Sequence, residues 1–213
     1  MYVGLLMKKL YRRLLDICYE NKLHHLGSYF SCLHIIDEIY RNKNEDDIFI
    51  LSNGHAVVAL YVVLEKYYGL DAQELLDKYG EHPKRNELDR IHCSTGSLGM
   101  GICVAVGRAV GNPNRHVHVM ISDGESNEGS VWEALRYIND GGVKNITVHV
   151  NANGWAAYDP VNITLLEQRM KVFCPNNLKF HRTTVNYFGL DDSLHAHYTN
   201  FTEEQYKEAI ASL

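Results

Sequence analysis

Val117-His118-Val119-Met120-Ile121-Ser122-Asp123-Gly124-Glu125-Ser126-Asn127-Glu128-Gly129 opens the stretch that decides the fold, and Ile146-Thr147-Val148-His149-Val150-Asn151-Ala152-Asn153-Gly154-Trp155 closes it. Two apolar runs enclose a helix-like segment, and each run ends in a polar loop. The stretch therefore reads as strand, acidic loop, helix, strand, amide loop. If the two strands are parallel neighbours, Asp123 and Asn153 leave the same edge of the sheet. The carboxyl edge of an open α/β sheet is where ligands bind. A carboxylate plus an amide oxygen there makes a hard-oxygen site suited to Mg²⁺ carrying a phosphate group.

Working outward, Leu6, Leu10, Leu14 and Cys18 recur at helical spacing between Leu5 and Tyr19. Ser31 is placed to cap a second helix reaching Tyr40. Asp47 to Leu51 is a short buried-strand run, followed by the turn Ser52-Asn53-Gly54-His55 and an apolar helix from Ala56 to Tyr68. Asp71 to Tyr79 reads as a short helix, Gly80 to Thr95 as irregular chain. Gly96-Ser97-Leu98-Gly99-Met100-Gly101 opens a helix to about Val110, ended by the turn Gly111-Asn112-Pro113-Asn114. Beyond Trp155 the pattern predicts a helix from Leu165 to Phe173 and a strand from Leu178 to Tyr187. A helix from Thr202 to Leu213 completes it, with Thr202-Glu203-Glu204-Gln205 as a capping box. Helices alternating with short apolar strands indicate an α/β fold: a mostly parallel sheet with helices on both faces, in a single domain over residues 1–213.

Composition narrows the function. The chain has 213 residues, 46% of them hydrophobic and 22% charged, enough for a buried core in a soluble protein. A net charge of −5 without Lys/Arg runs argues against a nucleic-acid surface. The longest apolar run, Val57 to Leu64, is too short to span a bilayer. The start, Met1 to Lys9, places its charge after a very short apolar patch and does not read as a secretory signal. Cys18, Cys32, Cys93, Cys103 and Cys174 form no Cys-x-x-Cys pair and read as buried thiols of a reducing, cytoplasmic compartment.

Taken singly, the polar residues are ambiguous. Gly96 to Gly101 before a helix lets backbone N–H groups approach a phosphate, but glycines for close helix packing explain it equally well. His25, His55 and His82 each sit in a Gly- or Pro-bearing loop, where an exposed histidine is ordinary. Glu128 and Glu133 fit a solvated helix face.

Their order along the chain is more specific. It resembles the transketolase family, in its amino-terminal, diphosphate-binding half. The matching residues are His25-Leu26-Gly27-Ser28, Leu51 to His55, Glu81-His82-Pro83, Ser94 to Gly101, Ser122-Asp123-Gly124-Glu125 with Glu128-Gly129, Val131-Trp132-Glu133-Ala134, and Asn153-Gly154. The resemblance implies thiamine diphosphate and Mg²⁺ as cofactors, with Asp123, the Asn153 side chain and the Trp155 carbonyl as metal ligands. It implies that Gly124 lies against the diphosphate, that His55 hydrogen-bonds it, and that Gly96, Leu98 and Gly99 wall the thiazolium. His25 and His82 match positions that touch the sugar and help to move protons, and His197 matches a late active-site histidine. Glu128 and Glu133 match acidic residues of a subunit contact, in a carboxylate network linking two active sites, which also counts Glu128 among the cofactor-site residues.

The implied activity is transfer of a two-carbon ketol unit from a ketose or its phosphate to an aldose. The family's second domain, which binds the aminopyrimidine, has no counterpart among these motifs. The expected partner is a carboxy-terminal transketolase subunit in an α2β2 assembly. This chain departs from the family at Ser122 (usually glycine), at Met100 (usually glutamine), after Gly154 in Ala156-Ala157-Tyr158-Asp159, and over Thr183 to Gly189. Two other readings stay open: a subunit of a 2-keto acid decarboxylase or dehydrogenase using the same cofactor, and a non-catalytic assembly partner.

Overall fold

The computed structural model describes residues 2–213. Met1, where the segment read as non-secretory begins, lies outside the described residues. In chain order the elements are α1 (Tyr2–Glu20), α2 (Leu26–Asn42), β1 (Ile48–Leu51), α3 (Val57–Tyr68), α4 (Ala72–Tyr79), α5 (Met100–Gly111), β2 (Val117–Ser122), α6 (Gly129–Asp140), β3 (Ile146–Ala152), α7 (Ile163–Phe173), β4 (Leu178–Arg182) and α8 (Glu203–Ser212). They pack as two compact units, one of residues 1–41, 55–81 and 184–213, the other of residues 42–54 and 82–183.

The second unit holds the sheet. Its four strands run in the order β1-β2-β3-β4, and every neighbouring pair is parallel. This agrees with the expected α/β class. Strands added in one direction through right-handed crossovers place the helices packed on the sheet on one face. Accordingly α5, α6 and α7 share a core with one face of the sheet: Ile48, Ile50, Val117, Val119, Ile121, Ile146, Val148 and Val150 meet Ile102, Val106, Val131, Leu135, Ile138, Leu166 and Met170.

The opposite face of the same strands carries Phe49, Leu51, His118, Met120, His149, Asn151 and His181, as period-two alternation requires. His118 Nδ1 lies 3.2 Å from His149 Nε2, and His149 Nδ1 lies 3.1 Å from His181 Nε2, so one row of imidazoles crosses three strands. The His149 and His181 rings stack with an interplanar angle of 16°. Burial lowers the His149 pKa to about 2 and that of His118 to about 4, with neighbouring histidines adding to the effect. His118 and His149 are therefore neutral at physiological pH.

The other unit is helical. α1 and α2 begin earlier than the sequence pattern suggests. The second helix starts at Leu26, and Ser31 lies inside it, donating to the Ser28 carbonyl at 3.2 Å rather than capping an end. The apolar residues Leu26, Phe30 and Leu33 are fully buried and carry the helix back to that point. Asp71 caps α4 by accepting from the Gln73 and Glu74 N–H groups. The expected capping box at Thr202 and Gln205 is formed in both directions. Strand β4 ends at Arg182, short of the expected Tyr187, because Thr184 onward belongs to the helical unit. Among the described residues all cysteines are free, and no helix is long and apolar enough to cross a membrane.

Candidate functional site

Asp123 follows β2 and Asn153 follows β3, and the two strands are parallel neighbours with Ser122 opposite Asn151. The two residues therefore do leave one edge of the sheet. Asp123 is fully buried. Its Oδ1 accepts from the Gly124 N–H at 3.0 Å and its Oδ2 from the Gly154 N–H at 2.7 Å, which ties the acidic loop to the amide loop. Burial nevertheless pushes the Asp123 carboxyl up to about 7. Backbone donors alone do not offset the lost hydration of that charge, and a cation beside it would. Asn153 Oδ1 accepts from the Trp155 N–H at 3.0 Å, which folds the amide loop so that the Trp155 carbonyl lies near Gly124, 3.7 Å from where a β-carbon there would stand. That β-carbon would also come within 3.2 Å of Ala156 Cα.

The predicted ligand set is thus one carboxylate, one amide oxygen and one backbone carbonyl on two adjoining loops. It is all oxygen, the donor chemistry Mg²⁺ takes when most of its shell is phosphate and water. No group of three or more His, Cys, Asp or Glu side chains among the described residues could hold a metal ion.

A residue without an assigned role in the sequence reading organises the site. Glu125 is fully buried, two positions beyond Asp123. Its Oε1 accepts from Ser52 Oγ at 2.6 Å and from the Gly99 N–H at 2.9 Å, and its Oε2 accepts from the Ser122 N–H at 3.0 Å. One carboxylate therefore joins the end of β1, the glycine loop before α5 and the end of β2. Ser122 returns the contact, its Oγ accepting from the Glu125 N–H at 3.2 Å. The serine that breaks the family pattern has a clear local use. Burial raises the Glu125 pKa while its three donors lower it. Only the Ser-Asp-Gly-Glu string hints at this, since burial of Glu125 depends on three loops far apart in sequence.

The glycine loop reads differently in three dimensions. Gly99 spends its N–H on Glu125 and has a φ of 75°. A β-carbon there would come within 2.4 Å of Ser130 Oγ and 2.7 Å of Glu128 Cβ. Gly101 would bring one within 2.5 Å of Ser52 Cα. These two glycines are packing glycines, the alternative left open above, and Gly99 has no N–H left for a phosphate. Gly96 makes room for His82, whose Cδ2 would lie 3.0 Å from a β-carbon at that position. Leu98 is half-buried, and His82, Glu128 and Glu133 are exposed. Trp132 of α6 donates from Nε1 to the Ser126 carbonyl at 2.8 Å and steadies the acidic loop.

His25, His55 and His197 belong to the helical unit. His25 and His55 have ring centroids 5.2 Å apart. His25 has a φ of 61°, a left-handed conformation uncommon for a residue with a side chain. Its N–H donates to the His197 carbonyl at 2.9 Å, and its own carbonyl accepts from the N–H groups of Ser28 and Tyr29. His197 is buried, with Nδ1 lying 3.0 Å from Ser28 Oγ. Burial and the nearby His25 lower its pKa to about 4.

Residues 29–182 match the transketolase, thiamine diphosphate binding domain family. The chain is 32% identical over 163 residues to an apulose-4-phosphate transketolase subunit from Phocaeicola vulgatus, covering 67% of this chain and 57% of that protein. It is 36% identical over 103 residues to the 6-deoxy-6-sulfo-D-fructose transketolase subunit SqwG of Clostridium sp., covering 44% of this chain and 38% of that one. The chain thus spans about half the length of these curated relatives or less. In fold it is similar to transketolase from Leishmania mexicana, with a TM-score of 0.70 at 16% identity over 96% of this chain and 41% of the other. The buried aspartate, the amide loop and the glutamate that ties the glycine loop down lie within the matched residues 29–182, and the chain belongs to the transketolase family through its thiamine diphosphate binding domain.

Proposed function

We propose that this chain is the amino-terminal, diphosphate-binding subunit of a split transketolase. It works with a carboxy-terminal subunit, in an α2β2 assembly, to transfer a two-carbon ketol unit from a ketose or its phosphate to an aldose. The observation that carries the reading is buried Asp123, bonded to the Gly154 N–H across the edge formed by β2 and β3. The word "subunit" in the names of two relatives supports the need for a partner.

In this reading Asp123, Asn153 Oδ1 and the Trp155 carbonyl hold Mg²⁺, and Gly124 leaves room for the diphosphate. His55 donates to the diphosphate, while Gly96 and Leu98 line the thiazolium side with Gly99 behind them. The bound cofactor supplies an electron sink for cleavage of the carbon–carbon bond. What the chain adds is proton handling at sugar hydroxyls, for which exposed His82 and half-buried His25 are suited. Exposed Glu128 and Glu133 belong to the contact with another subunit.

Calorimetric titration of the co-expressed pair with thiamine diphosphate should show binding that requires Mg²⁺. Asp123→Ala should abolish it, with loss of at least about a hundredfold in affinity, while the variant stays folded. Unchanged ketol transfer by that variant would remove the metal assignment. Turnover of pyruvate-like acids in place of ketoses would favour the decarboxylase or dehydrogenase reading. Absence of metal-dependent cofactor binding would favour a non-catalytic partner.

A further inference from the structure

His197 Nε2 is buried and has no hydrogen-bond partner, while the same ring bonds Ser28 through Nδ1. His197 is 8% exposed and Ser28 3%. The contact lies within the helical unit and decides where the ring proton sits. A hydroxyl can donate or accept, and a neutral imidazole has one nitrogen of each kind. If Nδ1–H donated to Ser28 Oγ, the buried hydroxyl proton and the bare Nε2 would both lack partners. If Ser28 Oγ–H donates to Nδ1, only the Nε2–H lacks one. The His25 carbonyl, one turn back from Ser28, already accepts two N–H groups and offers the hydroxyl no alternative. The second arrangement leaves fewer buried polar groups unpaired and is the favoured one. Gly27 completes the fit, since a β-carbon there would stand 3.2 Å from His197 Cε1 and 3.0 Å from Val185.

We propose that Ser28 is a positioning residue that fixes His197 in the Nε2–H tautomer. His197 then meets the sugar as a neutral hydrogen-bond donor to one of its oxygens, and not as a proton acceptor. The second half of this statement rests on the transketolase reading, and the first does not. The depressed basicity of the ring fits a group that stays uncharged through the working pH range.

The first test is on the full chain, with ¹⁵N-labelled histidine. Long-range ¹H–¹⁵N spectra between about pH 5 and 8 should show His197, assigned through His197→Gln, as the neutral Nε2–H form. Ser28→Ala should mix the two tautomers, and Ser28→Thr, which restores the hydroxyl, should restore the single form. A wild-type ring in the Nδ1–H form, or a Ser28→Ala spectrum like the wild type, overturns the assignment. The second test is on the complex with its partner subunit. Ser28→Ala should lower kcat/KM for the ketose by about two- to tenfold, the worth of one neutral hydrogen bond, and His197→Ala by more. His197→Gln, which keeps a donor, should retain more activity than His197→Ala. Equal loss in those two variants overturns the donor role while leaving the tautomer standing. A complex with no ketol transfer at all, but the expected tautomer, refutes the transketolase reading and the sugar contact with it.

Discussion

The sheet unit buries polar groups in two places, and it does so in opposite ways. At the carboxyl edge, Asp123 and Glu125 are fully buried carboxylates that gather backbone N–H and hydroxyl donors. Across the middle of the sheet, His118, His149 and His181 pass hydrogen bonds from ring to ring and need no charge. Asp123 is held by the Gly124 and Gly154 N–H groups, and burial pushes its carboxyl up to about 7. The row is complete without a ligand, because each inner nitrogen has a neighbour to give to or take from. A buried carboxylate whose charged form is disfavoured is a candidate functional group, whereas a row of neutral rings bonded to one another is structure.

The largest expected effect breaks the first member of that pair. Glu125→Ala would leave Ser52 Oγ, the Gly99 N–H and the Ser122 N–H without their acceptor. Each unpaired buried donor costs about 1–3 kcal/mol. Urea unfolding should show a loss of about 3–5 kcal/mol, and Glu125→Gln a smaller one. A loss below about 1 kcal/mol would mean that Glu125 is not the hub of the three loops.

The histidine row gives the next effect, and its sign follows from its pKa values. The unfolded imidazoles titrate near 6.5, whereas folded His118 and His149 titrate at about 4 and about 2. Above pH 6.5 both states are neutral and nothing is lost. Below it the unfolded chain binds protons that the folded chain refuses, so stability falls as pH drops from about 6.5 toward about 4. The His118 shift alone amounts to about 3 kcal/mol. The charges that modulate it are Asp47, whose Oδ2 is 3.8 Å from His118 Nε2, together with Lys43, Lys179 and His116. His149→Leu should flatten this acid limb relative to wild type while lowering stability at neutral pH. Parallel acid limbs in the two proteins would show that the row is charged or open in solution.

The two places also differ in how legible they are. The edge site is readable because its residues follow apolar runs directly: Asp123 after β2 and Asn153 after β3, with parallel pairing as the only added assumption. Glu125 is not, because its partners Ser52 and Gly99 come from other loops. The histidine row leaves a trace in the alternation of Val117-His118-Val119, Val148-His149-Val150 and Phe180-His181-Arg182. That pattern fixes the face, but contact between rings depends on lateral register, which alternation does not encode. The start of α2 escapes the pattern because His25 adopts a positive φ, which a non-glycine residue does not announce.

The smallest effect sharpens the comparison at Ser122, where the sequence departs from the family. Its Oγ is the acceptor for the Glu125 N–H, at 3.2 Å, while its own N–H donates to Glu125 Oε2. Ser122→Gly keeps the second bond, removes the first and frees the backbone. A cost of about 1 kcal/mol is expected for one neutral hydrogen bond, with glycine's added unfolded-state freedom included at the upper end. Ser122→Ala separates the parts, since it loses the same acceptor without the backbone term. If both variants were as stable as wild type, the serine would be a neutral replacement. If both lost stability while Mg²⁺-dependent cofactor affinity held, Ser122 would serve the Glu125 hub alone. Because Asp123 is held separately, by the Gly124 and Gly154 N–H groups, that second outcome is the expected one: hub and proposed metal ligand do not share their hydrogen bonds.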